Sequence, residues 1–221
     1  MFMEKKKILI FGGEGFIGRN LVDFLSKNYA CYSIDQAKSI FSEAKREFIE
    51  AHPYKDELKN DYDIVVHLVD NKVGNELFEK EELKLIKNLN LSNRNHLIVF
   101  SSAVVYANPN SEYGQRKLKM EKIYTDYCKK NNINLTIFRL FNIYGPYHLS
   151  NRQGRLVANI FLNYLNGEET EINDIDACRD FIYAKDIGKF IEYAIKNSQY
   201  GIIDLATGSS IAIRKLLSKI E

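Results

Sequence analysis

The 221 residues of the chain suit one domain, or one domain with a small lobe, and the net charge of +2 argues against nucleic acid as a partner. The three cysteines, Cys31, Cys128 and Cys178, lie far apart, which argues against a disulfide framework or a metal site and favours a reducing compartment. No stretch approaches the roughly 18 apolar residues of a membrane helix, so we expect a cytoplasmic protein without a membrane span.

Along the first 146 residues, short apolar runs alternate with longer amphipathic segments, which is typical of βαβ units that build a parallel sheet. Residues 64–69 are apolar without alternation, as expected for a strand covered on both faces. The apolar runs predict strands at residues 6–11, 31–34, 48–49, 64–69, 97–101 and 135–140. The amphipathic periodicity predicts helices at residues 16–28, 77–89 and 113–130.

The pattern changes after Pro146. There it predicts helices at residues 155–166, 186–197 and 211–220, and one strand at residues 202–205. The predicted fold class is α/β, with helices on both faces of a doubly wound parallel sheet and a small additional lobe.

The first predicted strand ends in a glycine-rich turn with glycines at positions 12, 15 and 18. Such glycines let the backbone turn sharply and approach a pyrophosphate, whose charge is met by the N–H groups that open the next helix. A glycine-rich turn by itself is a weak signal. Its place between an apolar strand and an amphipathic helix makes it specific enough to predict dinucleotide binding.

Asp35 ends the second predicted strand, 20 residues after Gly15. An acid at this position accepts hydrogen bonds from the ribose of an adenosine and repels a 2′-phosphate, so NAD is favoured over NADP. The structural alternative is that Asp35 caps a helix or forms a turn.

Tyr113 and Lys117 lie four residues apart on a predicted helix and therefore share one face. An ammonium beside a phenol favours the phenolate, which suits the phenol for proton exchange with a substrate hydroxyl. Ser102, or Ser101 as the second choice, follows an apolar strand at the sheet edge where ligands of such folds bind. By itself the pair is more readily an exposed lysine lying along a packed tyrosine, but its order after the glycine turn, Asp35 and the serines that follow the strand favours catalysis.

Together these segments resemble the extended short-chain dehydrogenase/reductase superfamily, in its NAD-dependent epimerase/dehydratase branch. The resemblance covers nearly the whole chain and implies a Rossmann fold. The matching segments are residues 12–18 (the cofactor turn), 65–68 (a strand beside the cofactor), 100–106 (the serine strand) and 113–117 (the catalytic helix).

Two later segments also resemble this branch. Residues 139–146 resemble the stretch that leads into the substrate lobe, which implies that Asn142 contacts substrate. Residues 179–186 resemble the stretch whose arginine, here Arg179, grips the diphosphate of a nucleotide sugar, a role that suits a guanidinium. The alternative for Arg179 is an ion pair within the chain, with Asp176 or Asp180.

The resemblance implies hydride exchange between NAD and a carbon, commonly C4, of a nucleotide-diphosphate sugar, in activated-sugar or surface-polysaccharide biosynthesis. Tyr113 is then the acid or base, Lys117 assists it and binds the nicotinamide ribose, and Ser102 orients the reacting oxygen. The residues implied to bind the cofactor are Gly12, Gly15, Phe16, Ile17, Gly18, Asp35, Leu68, Tyr113 and Lys117, and those implied to bind the substrate are Ser102, Asn142 and Arg179.

The residues after Ser102 argue against one subclass. Family members that are 4,6-dehydratases carry an Asp-Glu pair there, whereas this chain has Ala103 and Val104, which transfer no protons. An epimerase or another NAD-linked oxidoreductase remains the first interpretation. The alternatives are an NADPH-dependent nucleotide 4-keto-6-deoxysugar reductase and, from another class, a non-catalytic NAD-binding sensor or partner subunit.

The chain also departs from the family pattern. An alanine pair of the family is replaced by Val69 and Asp70, and only ten residues separate Ser102 from Tyr113. We expect a Rossmann core over residues 1–146, to which residues 186–206 return, and an abbreviated substrate lobe over residues 147–185 and 207–221. The resemblance further implies a homodimer through the helices predicted at residues 77–89 and 113–130.

Overall fold

A computed structural model describes residues 4–36, 38, 46–52, 54, 56, 61–71, 73, 75–148 and 156–219. Its strands are β1 (Lys7–Phe11), β2 (Ala30–Asp35), β3 (Glu47–Glu50), β4 (Ile64–His67), β5 (His96–Ser102), β6 (Asn134–Leu140), β7 (Asn142–Tyr144), β8 (Cys178–Tyr183), β9 (Gly201–Leu205) and β10 (Ser210–Ala212). Its helices are α1 (Phe16–Leu25), α2 (Asn75–Asn88), α3 (Val104–Ala107), α4 (Glu112–Lys130), α5 (Leu156–Asn166), α6 (Ala184–Lys196) and α7 (Ile213–Leu217).

Seven strands form one sheet in the order β3-β2-β1-β4-β5-β6-β9. All of its neighbouring strands are parallel. The chain reverses direction across the sheet between β1 and β4, and the carboxyl ends of parallel strands at such a point form a ligand-binding crevice. The α/β fold class predicted from the sequence is confirmed.

Each face of this sheet carries its own core. On β1, Ile8 and Ile10 pack into one core with residues of α1 and α6, while Leu9 and Phe11 pack into the other with residues of α2 and α4. All four side chains are fully buried. Successive side chains of a strand point to opposite faces of the sheet, so a strand that is apolar throughout contributes to the core on each face.

A second, three-stranded sheet has the order β10-β8-β7, with β7 and β8 parallel and β8 and β10 antiparallel. None of its strands was predicted. They span only three to six residues, and β8 begins with the polar run Cys178-Arg179-Asp180, so no alternation marks them.

Several predicted boundaries were wrong by a few residues. The helix predicted at residues 16–28 ends at Leu25, where the backbone oxygen accepts from the N–H groups of Asn28 and Tyr29. The strand predicted at residues 64–69 ends at His67. The helix predicted at residues 211–220 begins two residues late because its first residues pair with β8, and position 220 lies outside the described residues, as does the predicted start at position 155.

Within the part of the chain that the structure describes, no helix combines the length and the apolar character needed to cross a bilayer.

Candidate active site

The glycine turn lies directly after β1, between β2 and β4. Gly12 has a φ of +77°, a conformation that glycine adopts without strain, and its N–H donates to the Ile34 oxygen at 2.9 Å. A Cβ on Gly18 would lie 2.2 Å from the Gly12 oxygen, so only glycine allows α1 to approach the turn this closely. The three predicted glycines thus meet at one turn.

The start of α1 leaves room for an anion. Gly15 precedes the helix without any side-chain cap, and a Cβ built there would contact only the Gly12 oxygen, at 3.3 Å. Phe16 and Ile17 open the helix, so their backbone N–H groups belong to its first turn. This geometry fits a pyrophosphate, because the first N–H groups of a helix bind anions.

Asp35 is the last residue of β2, and its carboxylate accepts from the Gln36 N–H at 2.8 Å. Partial burial raises the pKa of this carboxyl above its ordinary value, whereas the backbone N–H groups of Gln36 and Glu14 lower it. The negative charge of Glu14 raises it further. The carboxylate therefore lies close to the glycine turn.

The predicted serine, tyrosine and lysine are placed by β5 and α4. Ser102 ends β5, and its Oγ accepts from the Val104 N–H at 3.2 Å. Tyr113 lies in the first turn of α4, and 38% of its surface is exposed, so a substrate can reach it. Lys117 follows one turn later and is buried.

Contacts from two strands fix the Lys117 ammonium. It donates to the Phe100 oxygen in β5 at 3.3 Å and lies 3.5 Å from the carboxylate of Asp70, which follows β4. It also lies 5.5 Å from the centroid of the Tyr113 ring. Tyr113 and Lys117, four residues apart in sequence, are therefore also close in space, and Lys117 contacts the strand that ends at Ser102.

Asp70, at the position where the family has alanine, also lies 3.6 Å from the guanidinium of Arg116. Both Lys117 and Arg116 are buried, and a buried cation without a nearby anion is costly. Asp70 thus compensates two cations beside the candidate site. The sequence analysis noted this substitution but assigned it no role.

A second set of polar contacts holds α4 against the sheet. Arg139 binds both carboxylate oxygens of Glu121, at 2.9 and 2.6 Å, and the buried Ser101 hydroxyl donates to Glu121 at 2.5 Å. Arg139 also donates to the Tyr106 hydroxyl. Ser101, the second choice for the catalytic serine, is therefore directed at Glu121. The sequence did not identify Glu121 and Arg139, because 18 residues separate them.

Two of the three residues expected at the substrate lie on the smaller sheet. Asn142, on β7, donates to the Asp180 oxygen on β8 at 3.1 Å. Arg179 is exposed and donates to the Cys178 oxygen at 2.9 Å. The two acids considered as its partners have other contacts: Asp176 pairs with Arg214 at 3.0 Å, and Asp180 accepts from the N–H and hydroxyl of Thr207.

Comparison with known proteins agrees with the family that the sequence resembles. The model of the NAD-dependent epimerase/dehydratase family matches residues 8–206. UDP-glucuronic acid decarboxylase 6 of Arabidopsis thaliana is 25% identical over 260 residues, spanning 100% of this chain and 75% of the relative.

Two solved structures are similar in fold. UDP-N-acetylglucosamine 4-epimerase from Methanobrevibacter ruminantium M1, in complex with UDP-N-acetylmuramic acid, has a TM-score of 0.80 at 25% identity and covers 98% of this chain and 81% of its own. UDP-glucuronic acid 4-epimerase from Bacillus cereus, in complex with NAD, has a TM-score of 0.83 at 23% identity and covers 97% and 83%.

Proposed function

The chain belongs to the NAD-dependent epimerase/dehydratase family, and on this premise we propose that it is an enzyme that exchanges hydride between NAD and one carbon, C4, of a nucleotide-diphosphate sugar. The observation that carries the proposal is the Lys117 ammonium, which lies 5.5 Å from the Tyr113 ring and is anchored to the strand that ends at Ser102. The decarboxylase and both epimerases described above are named for UDP-sugar substrates, which supports this substrate class.

The glycine turn and the ends of β2 and β4 are the proposed cofactor site. The open start of α1 fits a pyrophosphate, and Asp35, at the end of β2, would accept hydrogen bonds from the ribose hydroxyls of the adenosine. The NAD complex of the Bacillus cereus relative supports this choice of cofactor. The proposed binding residues are Gly12, Gly15, Phe16, Ile17, Gly18, Asp35, Leu68, Tyr113 and Lys117.

NAD supplies the group that accepts a hydride from the sugar carbon and returns it. Tyr113 would take the proton of the C4 hydroxyl while that carbon is oxidised to a ketone. The nearby Lys117 ammonium stabilises negative charge on a phenol oxygen, and Ser102 donates a hydrogen bond to the reacting oxygen. Tyr113 would return the proton to the oxygen when the hydroxyl forms again on the opposite face of the ring, which inverts the carbon.

We favour epimerisation or simple oxidation and reduction over dehydration. Loss of water across C5 and C6 needs groups that abstract and deliver protons there. Ala103 and Val104 directly follow Ser102, and neither side chain titrates.

The proposed substrate lobe comprises residues 147–185 and 207–221, which contribute β8 and β10 to the smaller sheet. The proposed core comprises residues 1–146 and 186–206, and its β7 pairs with β8 of the lobe. Arg179 would bind the diphosphate, since a guanidinium matches two phosphate oxygens and the neighbouring Asp176 and Asp180 already have other partners. Asn142, linked to β8 through the Asp180 oxygen, would contact the sugar.

We also propose a homodimer formed through α2 and α4. Leu77 on α2 and Leu118 on α4 are 44% and 39% exposed, and the two helices pack against each other, so an apolar contact is available on that surface.

The substitution Tyr113→Phe tests the catalytic role. It removes only the hydroxyl that carries the proton, so we expect turnover to fall by about 10² to 10⁴-fold, while NAD affinity stays within about twofold. Turnover is followed by product chromatography on a panel of nucleotide sugars, and NAD affinity by calorimetry.

Tyr193→Phe is the matched control, because Tyr193 is 60% exposed on α6 and is expected to behave as wild type. A wild-type protein that binds NAD but transfers no hydride with any sugar would support the sensor alternative. Equal turnover of Tyr113→Phe and wild type would remove Tyr113 from the mechanism. Turnover only with NADPH and a 4-keto sugar would assign the reductase alternative.

A further inference from the structure

The glycine turn contains a buried ion pair that the proposed chemistry does not use. Arg46 binds Glu14, the residue between Gly13 and Gly15, with its Nε 2.6 Å from Oε1 and its Nη2 2.5 Å from Oε2. Only 4% of the Arg46 side chain and 3% of the Glu14 side chain are exposed. The Ser33 hydroxyl donates to the same Glu14 carboxylate at 2.7 Å.

This pair lies at the adenosine end of the cofactor site. Ser33 belongs to β2, Arg46 directly precedes β3, and Glu14 lies in the turn between β1 and α1. The backbone N–H and the charge of Glu14 both act on the Asp35 carboxylate, which places the pair beside that residue. The two-pronged geometry is the strongest form that a charged hydrogen bond takes in proteins.

The position of Arg46 bears on the choice between NAD and NADP. In folds of this kind, an acid at the end of the second strand binds the ribose 2′-hydroxyl, and an arginine nearby accommodates a 2′-phosphate. Arg46 is linked to that acid through Glu14, because Glu14 binds the Arg46 guanidinium and its charge also acts on the Asp35 carboxylate. Glu14 thereby holds the guanidinium and offsets its charge. The negative charge of Asp35 is then left to face the ribose.

We propose that Glu14 determines dinucleotide specificity by holding Arg46, so that the Arg46 guanidinium is not available to a 2′-phosphate. The inference rests on the proposed binding of NAD. It adds to the role of Asp35, because rejection of NADP then depends on two acids. Asp35 repels the 2′-phosphate directly, whereas Glu14 binds the Arg46 guanidinium that would otherwise pair with this phosphate.

The test measures the dissociation constants of NAD and NADP by calorimetry, and the readout is their ratio. Glu14→Gln keeps the shape of the side chain and its hydrogen bond with Ser33 but removes the charge that holds Arg46. We expect NADP to gain on NAD by about tenfold, the typical effect of one charged hydrogen bond. In the double variant Glu14→Gln with Arg46→Gln, the ratio should return close to that of wild type.

Arg46→Lys provides a second variant in case Glu14→Gln does not fold. A lysine keeps the charge but cannot bind both oxygens of Glu14, so NADP should again gain, by a smaller factor. Glu47→Gln is the matched control, because Glu47 is the exposed acid that follows Arg46, and its ratio should equal that of wild type. Thermal unfolding of each variant checks that the fold is kept.

A ratio that is the same in wild type, Glu14→Gln and Arg46→Lys would overturn the proposal. So would a gain for NADP that persists in the double variant, because Arg46 would then play no part. If the wild-type protein binds neither dinucleotide, the proposed function fails and this inference with it. If the variants bind NAD normally and their ratio of NAD to NADP dissociation constants equals that of wild type, the proposal for Glu14 is wrong, whereas the proposed function stands.

Discussion

His96 is a buried imidazole at the start of β5, where its Nε2 lies 2.7 Å from the Thr136 hydroxyl of β6. Burial, assisted by the charge of Lys6, lowers the pKa of His96 from 6.5 to about 4. An unfolded chain takes up this proton at a higher pH than the folded protein. Burial of neutral His96 therefore does not lower the free energy of unfolding above pH 6.5, but it lowers this free energy progressively as the pH falls from 6.5 towards 4.

Substitution of His96 tests this pH dependence. At pH 4.5 the loss from His96 should amount to about 2 kcal/mol of unfolding free energy. His96→Gln retains a polar partner for Thr136 but does not titrate, so its stability should fall less between pH 7 and pH 4.5 than that of wild type. Urea unfolding at both values measures the difference. Parallel losses in the two proteins would show that another group dominates.

For single residues of the candidate site, the sequence predicted where they lie in turns and helices better than which other residues they contact. The glycines at 12, 15 and 18 and the pair Tyr113 and Lys117 were predicted because turn geometry and helical spacing are local properties. The partners of these residues are distant in sequence: Asp70 lies 47 residues before Lys117, and Arg46 lies 32 residues after Glu14. Contacts between residues so distant in sequence depend on the order of the strands in the sheet, which a single sequence does not reveal.

The first turn of α4 is constrained by a glycine. Ser111 caps the helix by accepting from the Gly114 N–H at 3.0 Å, and a Cβ on Gly114 would lie 2.3 Å from the Asn108 oxygen. This contact presses the start of the helix, and with it Tyr113, against the loop that follows α3. Backbone oxygens do not yield as a flexible side chain would.

Gly114→Ala tests this constraint. Alanine would stabilise an isolated helix by about 1 kcal/mol, yet here it must displace the start of α4. We therefore expect a lower melting temperature and a turnover at least about tenfold lower, since small displacements at reacting groups are costly. Gln115→Ala, at the exposed neighbouring position, should change neither quantity. A variant that is both more stable and fully active would show that the loop gives way.

Among the elements, the long helices were predicted, whereas α3 and the three strands of the smaller sheet were missed. Helix α4 repeats its apolar positions over 19 residues, enough for the period to emerge. Strands β7 and β10 span three residues each and owe their existence to pairing with β8. Helix α3, with four residues, is likewise too short to show a period.

Association of whole molecules is tested at the surface of α2 and α4. Leu118→Lys would bury two charges in a symmetric interface, so the proposed dimer should dissociate towards the 25.6 kDa monomer. Light scattering after gel filtration measures the mass. Leu165→Lys is the control, because Leu165 is 62% exposed on α5 and should leave the mass unchanged. A wild-type protein that is monomeric at every concentration would refute the dimer.

The two cores on either side of β1 have a consequence for how the strand is aligned. Since its residues are apolar on both faces, a slip by one position would still supply apolar side chains to each core. The ends of the strand prevent it. A slip in one direction would move Phe11 to the positive-φ position and Lys7 into the core, and a slip in the other would leave Gly12 where Phe11 now fills space. The glycine that shapes the cofactor turn thus also fixes the alignment of the central strand.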